Sequence, residues 1–442
     1  MARGATHVLG LDIGTQTIKA VELRLSGQDV VLRGRPVVYQ TPPNSVVGGR
    51  IVDDVAVRDA ILDALSESRF GVKKAIVSVG GDTDVVVRIA EMPRMEPKEL
   101  DDAVQWELDR QTPFPIDQVV YDFQPVEHPG VGPESENMEV LLAVAQEDMV
   151  NAHAETVMAA KLTPVAIDVE PLALGRALIE MGDETLMQTT VVIVHIGHTS
   201  SLISIFCQGQ PVFIRAIPTA GEAFTTAVRQ AMQLGQDDAE RAKKQFADMT
   251  HVEGLEPEED EYEVESDMLD HATDSVFELS DSEMAEELAH ADDIDEMATR
   301  LDVDALAYEL PPEPDTALTP PPDAAAEQSE PEPDEVRWAR DHVSDALVDP
   351  LSELATEIRR SVQHYQRQHR NEQISRLLIS GGSAVIPGLS NFLEAEIGIQ
   401  TEVANPFKNV ESDPDDASDA YLQNVGPAVA IAVGLALRDM TD

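Results

Sequence analysis

Residues 7–25, HVLGLDIGTQTIKAVELRL, and residues 190–206, TVVIVHIGHTSSLISIF, are two versions of one pattern. Each has an apolar run, an Ile-Gly step, a few hydroxyl-bearing residues and an alternating exit run, the signature of a β-hairpin with a tight turn. Setting Ile13-Gly14 on Ile196-Gly197 pairs Thr17 with Ser200 and places Asp12 opposite His195. After a one-residue adjustment Ser26-Gly27-Gln28 meets Gln208-Gly209-Gln210, and a third strand follows each, VVLRGRPVV and PVFIRAIPT. A three-strand unit written twice predicts two similar halves facing one another.

The first turn offers Asp12, Gly14, Thr15, Gln16 and Thr17, followed by Lys19. Hydroxyls, an amide and backbone N–H groups suit phosphate oxygens, and Asp12 could hold Mg²⁺ directly or through its waters. Gly14 allows close backbone approach or positive φ. Taken singly, either turn is equally consistent with an ordinary hairpin; the repeat favours a phosphate site.

Length and charge bound the rest. A chain of 442 residues can bury more than one core. The net charge of −52 is uneven: residues 251–335 hold 31 Asp and Glu against one Arg, a net of −30, leaving −22 elsewhere. Such a chain repels nucleic acid and anionic lipid, so neither is expected as a direct partner. The single cysteine, Cys207, excludes an internal disulfide framework and reads as a small buried residue. No charged-then-apolar leader opens the chain, and the apolar run at residues 425–437 is 13 long, short of the roughly 20 a bilayer requires. A buried helix is expected there, with any membrane association arising through partners.

Between the hairpins, residues 54–69 have helical spacing and residues 73–81 return as a strand. From Asp82 the order becomes strand, helix, strand, strand, helix, a compact insertion. Trp106 on its first helix reads as a core residue, with a partner-facing aromatic as the alternative. Beyond the second hairpin come two helices broken at Gly235, then an acidic, Pro-rich stretch unable to offset its ordering entropy. Within that stretch Met284, Leu288, Ile294, Met297, Leu301 and Leu306 are spaced like a marginal amphipathic helix. Order is expected to resume with a long helix near Arg337, then a strand, the turn Ser380-Gly381-Gly382-Ser383 and a helix whose N-terminus would favour anions.

These segments, in this order, resemble the actin-like ATPase fold, and within it the FtsA/PilM group of cell-division and type IV pilus assembly proteins. The resemblance covers about residues 5–248 and 345–440, with Pro93, Glu96 to Glu107, Thr112-Pro113-Phe114-Pro115 and Val403-Ala404-Asn405-Pro406-Phe407 similar to the pilus branch. It implies an α/β protein of two duplicated domains around a nucleotide cleft: residues 1–82 with 168–187, and 188–249 with 336–442. The insertion at 83–167 would be the subdomain typical of this group, and 250–335 a mostly disordered acidic insertion.

The resemblance further implies ATP and Mg²⁺ as ligands. Asp12, Gly14, Thr15, Gln16, Thr17 and Lys19 would lie on one side, and Gly197, His198, Thr199 and Ser200 on the other. Gly381, Gly382 and Ser383 would sit at the adenosine, and Glu240, Lys243 and Lys244 would approach adenine and ribose. Asp168 and Glu170 fall where relatives position water or metal near the γ-phosphate, although Glu170 before Pro171 equally suits a helix start. His195 stands where most relatives carry a second carboxylate, so binding with slow or no turnover is expected.

The partner implied is the N-terminal cytoplasmic tail of a PilN-like inner-membrane protein, gripped between the first domain and the inserted subdomain. Other pilus assembly components and a second copy of the chain are further partners. The location implied is cytoplasmic, peripheral at the inner membrane. Two alternatives stand: a small-molecule kinase of the same fold, and an FtsA-like division protein. The ending LRDMTD, which lacks a basic amphipathic tail, argues against the latter.

Overall fold

In the computed structural model both hairpins form, and each nucleates a five-stranded sheet of the same design. Strands β1 (His7–Ile13), β2 (Thr17–Ser26) and β3 (Asp29–Gln40) run antiparallel. Helix α1 (Asp54–Glu67) follows the short ribbon of β4 (Val46–Val47) and β5 (Arg50–Ile51), its N-terminus capped by the Asp53 carboxylate accepting from the Ala56 amide. Strand β6 (Lys74–Val79) then adds parallel to β1. The structure describes residues 6–68, 70–81, 84–112, 114–128, 135–251, 334–369, 372–412 and 416–440.

The insertion begins with β7 (Val85–Pro93) and α2 (Pro97–Gln111), followed by β8 (Val119–Val126) and β9 (Asn137–Gln146). The three strands form their own antiparallel sheet in the order β7-β9-β8. Its core joins Leu100, Val104 and Leu108 of α2 to Val140, Leu142 and Val144 of β9. That spacing of four commits one stripe of α2, so Trp106 points elsewhere and is 69% exposed, with the Arg110 guanidinium 5.9 Å from its ring centre. The expectation of a core tryptophan is therefore corrected.

Helix α3 (Glu147–Ala159) buries Val157 against the first sheet's apolar cluster, and β10 (Thr163–Val169) completes that sheet beside β6. Helix α4 (Glu170–Gly175) continues as a wider turn through Glu180.

The second sheet repeats the plan. Strands β11 (Thr190–Ile196), β12 (Ser201–Cys207) and β13 (Gln210–Ile217) are antiparallel, and β14 (Ile374–Gly381) and β15 (Thr401–Val403) add parallel. The orders β3-β2-β1-β6-β10 and β13-β12-β11-β14-β15 correspond element for element in order and direction. The repeat thus reaches five strands where the sequence showed three.

Among the described residues the chain falls into two compact units, residues 1–223 with 350–442, and residues 224–349. The first holds all four sheets. Helices α5 (Gly221–Met232) and α7 (Asp334–Gln368) run through the division in sequence, and the second unit contains α6 (Gln236–Phe246). Within the first unit, α8 (Leu389–Ile397) precedes β15 and α9 (Asp419–Leu437) closes the fold. Ser418 caps α9 by accepting from the Tyr421 amide.

Helix α9 is 19 residues, longer than the apolar run suggested, and by length and composition alone it could cross a membrane. Here Val429 to Leu437 are buried instead, in one cluster with Val8, Ile76, Leu174, Val191 and Phe206. That cluster draws on both five-stranded sheets and on α4, so the two halves share a core. The acidic stretch, with its amphipathic segment, lies outside the described residues.

Candidate functional site

The two turns are built alike. In the first, the Gly14 amide donates to Thr17 O at 3.1 Å; in the second, the Gly197 amide donates to Ser200 O at 3.1 Å. Neither glycine has positive φ. The positions differ in the space they require: a Cβ on Gly197 would stand 2.6 Å from the Ser200 carbonyl oxygen, whereas one on Gly14 would meet the movable Lys19 Nζ at 2.9 Å and Thr17 O at 3.0 Å. Thr15, Gln16 and Thr17 on one turn, and His198, Thr199 and Ser200 on the other, are half-buried rims.

Thr41, just past β3, braces the first turn: its hydroxyl donates to Gly14 O at 2.8 Å and its amide to Gln16 O at 3.0 Å. The second turn is tied to the start of α5, where the Gly221 amide donates to Gly197 O and the Glu222 amide to His198 O. Thr41 and Gly221 carry no sequence signal for these roles, because each acts on a turn more than twenty residues upstream.

Behind the turns the halves differ. Asp12 lies opposite Lys19 in register, buried, with Lys19 Nζ 3.0 Å from Oδ2 and the Ser78 hydroxyl 3.3 Å from Oδ1. Oδ2 accepts no hydrogen bond, so the ammonium neutralises it from off the bonding direction. An anionic oxygen held by charge alone fits a hard divalent cation or its waters.

His195, opposite Leu202, is buried with Nδ1 3.0 Å from Ser380 Oγ. Burial, then the Lys19 charge, push its pKa down to about 4 against the opposing pull of Asp12. The imidazole is therefore neutral at physiological pH, and it lies within electrostatic reach of the first hairpin's ion pair.

Gly381 pairs with Ile196 and has φ +97°, and a Cβ there would meet Ile196 O at 2.1 Å. Gly382 is exposed with nothing within 4 Å of a would-be Cβ, while Ser383 is buried. The glycine pair leads into a single 3₁₀ turn, Gly382–Val385, and α8 begins only at Leu389 after Gly388 at φ +77°. The expected helix N-terminus at this turn is absent; Gly382 instead presents open backbone.

Asp168 is fully engaged, its Oδ2 accepting from Arg176 at 2.6 Å and its Oδ1 from the Val169 amide. Glu170 opens α4 with Pro171 next, and its carboxylate presses on Gly80, where a Cβ would stand 2.1 Å from Oε1. In the second unit, Glu240 binds Lys243 at 2.7 Å and Lys244 at 3.1 Å, and accepts from Thr225. Burial pushes the Glu240 carboxyl up, but the Lys243 charge and hydrogen bond, Thr225 and Lys244 outweigh it and hold it at about 2. Lys243 is buried in that pair, whereas the Lys244 side chain is exposed.

Two five-stranded sheets of one design, each centred on a hairpin with the same turn bond, define an actin-like ATPase fold. Residues 10–262 and 323–440 match the family model described as type IV pilus assembly protein PilM, and the chain belongs to that family. It is 25% identical over 274 residues to the cell division protein FtsA of Bacillus subtilis (strain 168), a match over 57% of this chain and 60% of that protein's length. A solved PilM-PilN type IV pilus biogenesis complex has the same fold, with TM-score 0.69, 24% identity and 98% of both chains covered. The ethanolamine utilization protein EutJ from Carboxydothermus hydrogenoformans aligns with TM-score 0.48 and 11% identity over 98% of this chain and 90% of its own.

Proposed function

We propose that this chain is an ATP-binding scaffold of the type IV pilus machine, cytoplasmic and held at the inner membrane by its partners. The observation that carries the nucleotide reading is the pair of identical turns backed by one carboxylate and one neutral imidazole. The Gly14 and Gly197 turns would receive the phosphates, with Thr15, Gln16, Thr17, Thr199 and Ser200 as hydroxyl and amide donors. Gly381 and Ser383 would frame the adenosine, Gly382 leaving it room.

Asp12 would hold Mg²⁺ or its waters, and Lys19, released from the carboxylate, would turn to phosphate. Bound Mg²⁺ would supply charge neutralisation at the phosphates. His195 is a poor ligand for an oxygen-preferring ion and at neutral pH carries no charge with which to replace a carboxylate. Turnover is accordingly slow or absent, and ATP acts by fixing the relation of the two sheets.

The partner is the short cytoplasmic tail of a PilN-like inner-membrane protein. Family membership and the fold shared with the PilM-PilN complex support this reading. Trp106, exposed on the inserted subdomain, is the kind of aromatic anchor such a tail would use.

Calorimetric titration of the full chain with ATP, with and without Mg²⁺, and with N-terminal tail peptides, paired with a phosphate-release assay, tests each part. Saturable, Mg²⁺-strengthened binding with little phosphate release is expected. Rapid release would return the enzyme reading, and no binding to any tail would remove the scaffold reading.

A further inference from the structure

Away from the two hairpin turns, three side chains distant in sequence meet within the first unit. His128 lies just past β8, Cys207 ends β12, and Glu372 follows α7. A ring nitrogen, the thiol sulfur and a carboxylate oxygen from these three lie within 4.8 Å of one another, with His128 and Cys207 buried. Their remaining polar atoms are held from outside. His128 Nε2 is 3.1 Å from Glu139 Oε2, which leaves Nδ1 facing inward, 3.9 Å from Glu372 Oε1. The Tyr365 hydroxyl donates to Glu372 Oε2, leaving Oε1 as the inward atom. The His369 ring stacks on Tyr365 at 4.5 Å and stands edge-on to His128 at 5.7 Å.

We infer that His128 Nδ1, Cys207 Sγ and Glu372 Oε1 form a transition-metal site suited to Zn²⁺. One imidazole, one thiolate and one carboxylate is a zinc donor set, and the thiolate disfavours Mg²⁺ and Ca²⁺. Zinc bonds of about 2.0–2.3 Å place tetrahedral ligand atoms roughly 3.5 Å apart, so small side-chain rotations close the site.

A ligating histidine whose other nitrogen is held by a carboxylate, and a ligating carboxylate whose other oxygen is held by a hydroxyl, are the supports such sites carry. A fourth position is left for water or His369. Cys207 and Glu139 favour the protonated His128 imidazole, so metal binding displaces the Nδ1 proton together with any remaining thiol proton to solvent. The ion would join the end of β8 in the inserted subdomain to the last residue of β12 in the second sheet and the exit of α7.

The test uses the full chain, stripped with chelator and desalted, then titrated with Co²⁺ and with Zn²⁺. Because Cys207 is the only cysteine in the sequence, a thiolate-to-cobalt charge-transfer band reports that residue alone. One equivalent of Co²⁺ should raise the band, and Zn²⁺ should abolish it by displacement. The band should vanish in Cys207→Ser, and Glu139→Gln should weaken affinity about 10–100-fold. Glu372→Gln, at a half-buried position past a helix end, should weaken metal binding at least about tenfold with an unchanged circular-dichroism spectrum, which covers misfolding of the cysteine variant. A stripped chain that raises no band, or folded Cys207→Ser and Glu372→Gln variants that bind one equivalent of Zn²⁺ as tightly as the parent, would overturn the assignment.

Discussion

Asp12 and His195 occupy equivalent places on two hairpins closed by the same turn bond, yet only Asp12 faces a cation across its ladder. The first half is charged where the second is neutral, and the neutral side is sensitive to acid. An unfolded histidine titrates near 6.5, while burial, then Lys19, hold folded His195 near 4. Between those values the unfolded chain binds a proton that the folded chain refuses. This contribution is therefore complete above about pH 6.5 and is lost as pH falls towards 4. From pH 7.5 to pH 5 it amounts to about 2 kcal/mol. Urea unfolding at the two pH values should show a smaller acid loss in His195→Asn than in the parent, and equal losses would refute the role.

The Asp12 carboxylate is expected to matter to metal more than to folding. Asp12→Asn keeps the shape and should remove most of the difference between ATP affinities measured with and without Mg²⁺. A Mg²⁺ enhancement that persists in this variant would place the ion elsewhere.

Gly381 and Gly382 are neighbours with opposite tolerances. A Cβ at Gly381 collides with the Ile196 carbonyl at positive φ, and Gly381→Ala should cost roughly 2 kcal/mol or more. A Cβ at Gly382 meets nothing, so Gly382→Val should leave stability within about 0.5 kcal/mol. If the space above it belongs to nucleotide, the same variant loses at least tenfold in ATP affinity, roughly 1.4 kcal/mol; undiminished binding would rule that out.

Helix α9 is seated by glycines. A Cβ on Gly434 would stand 1.7 Å from Ala173 O, and one on Gly10 of β1 would stand 1.8 Å from Ala432 O. Either glycine-to-alanine change must push α9 off its bed, and about 3 kcal/mol of destabilisation is expected in denaturant melts. A loss below about 0.5 kcal/mol would show that the packing yields.

Trp106 has solvent on most of its surface, so Trp106→Ala should leave the melting temperature unchanged while weakening tail-peptide binding severalfold or more. Unaltered peptide affinity would move the docking surface away from α2.

The hairpins were legible because a tight turn writes its demands locally: Ile-Gly, a hydroxyl stretch, alternating strands. The alignment that set Asp12 against His195 relied on those few residues, and the matching turn bonds reproduce it. Contacts chosen by the packed fold were not legible. Trp106 followed from which stripe of α2 met β9, a choice the spacing of Leu100, Val104 and Leu108 made without it. The glycine pair before α8 looked like a helix entrance because glycine marks both loops and helix ends. His128, Cys207 and Glu372 follow no ligand spacing, since three separate elements deliver them.

The segment leading to α9 also runs along β3. Glu411 O accepts from the Leu32 amide at 2.7 Å, the Glu411 amide donates to Val30 O at 2.9 Å, and Asp416 accepts from the Gly34 amide. Part of the first sheet's outer edge is thus closed by chain synthesised some four hundred residues later. An emerging polypeptide carries that edge unpaired until residues 411–416 have been made, a stretch of synthesis during which exposed strand backbone is open to pairing with other chains.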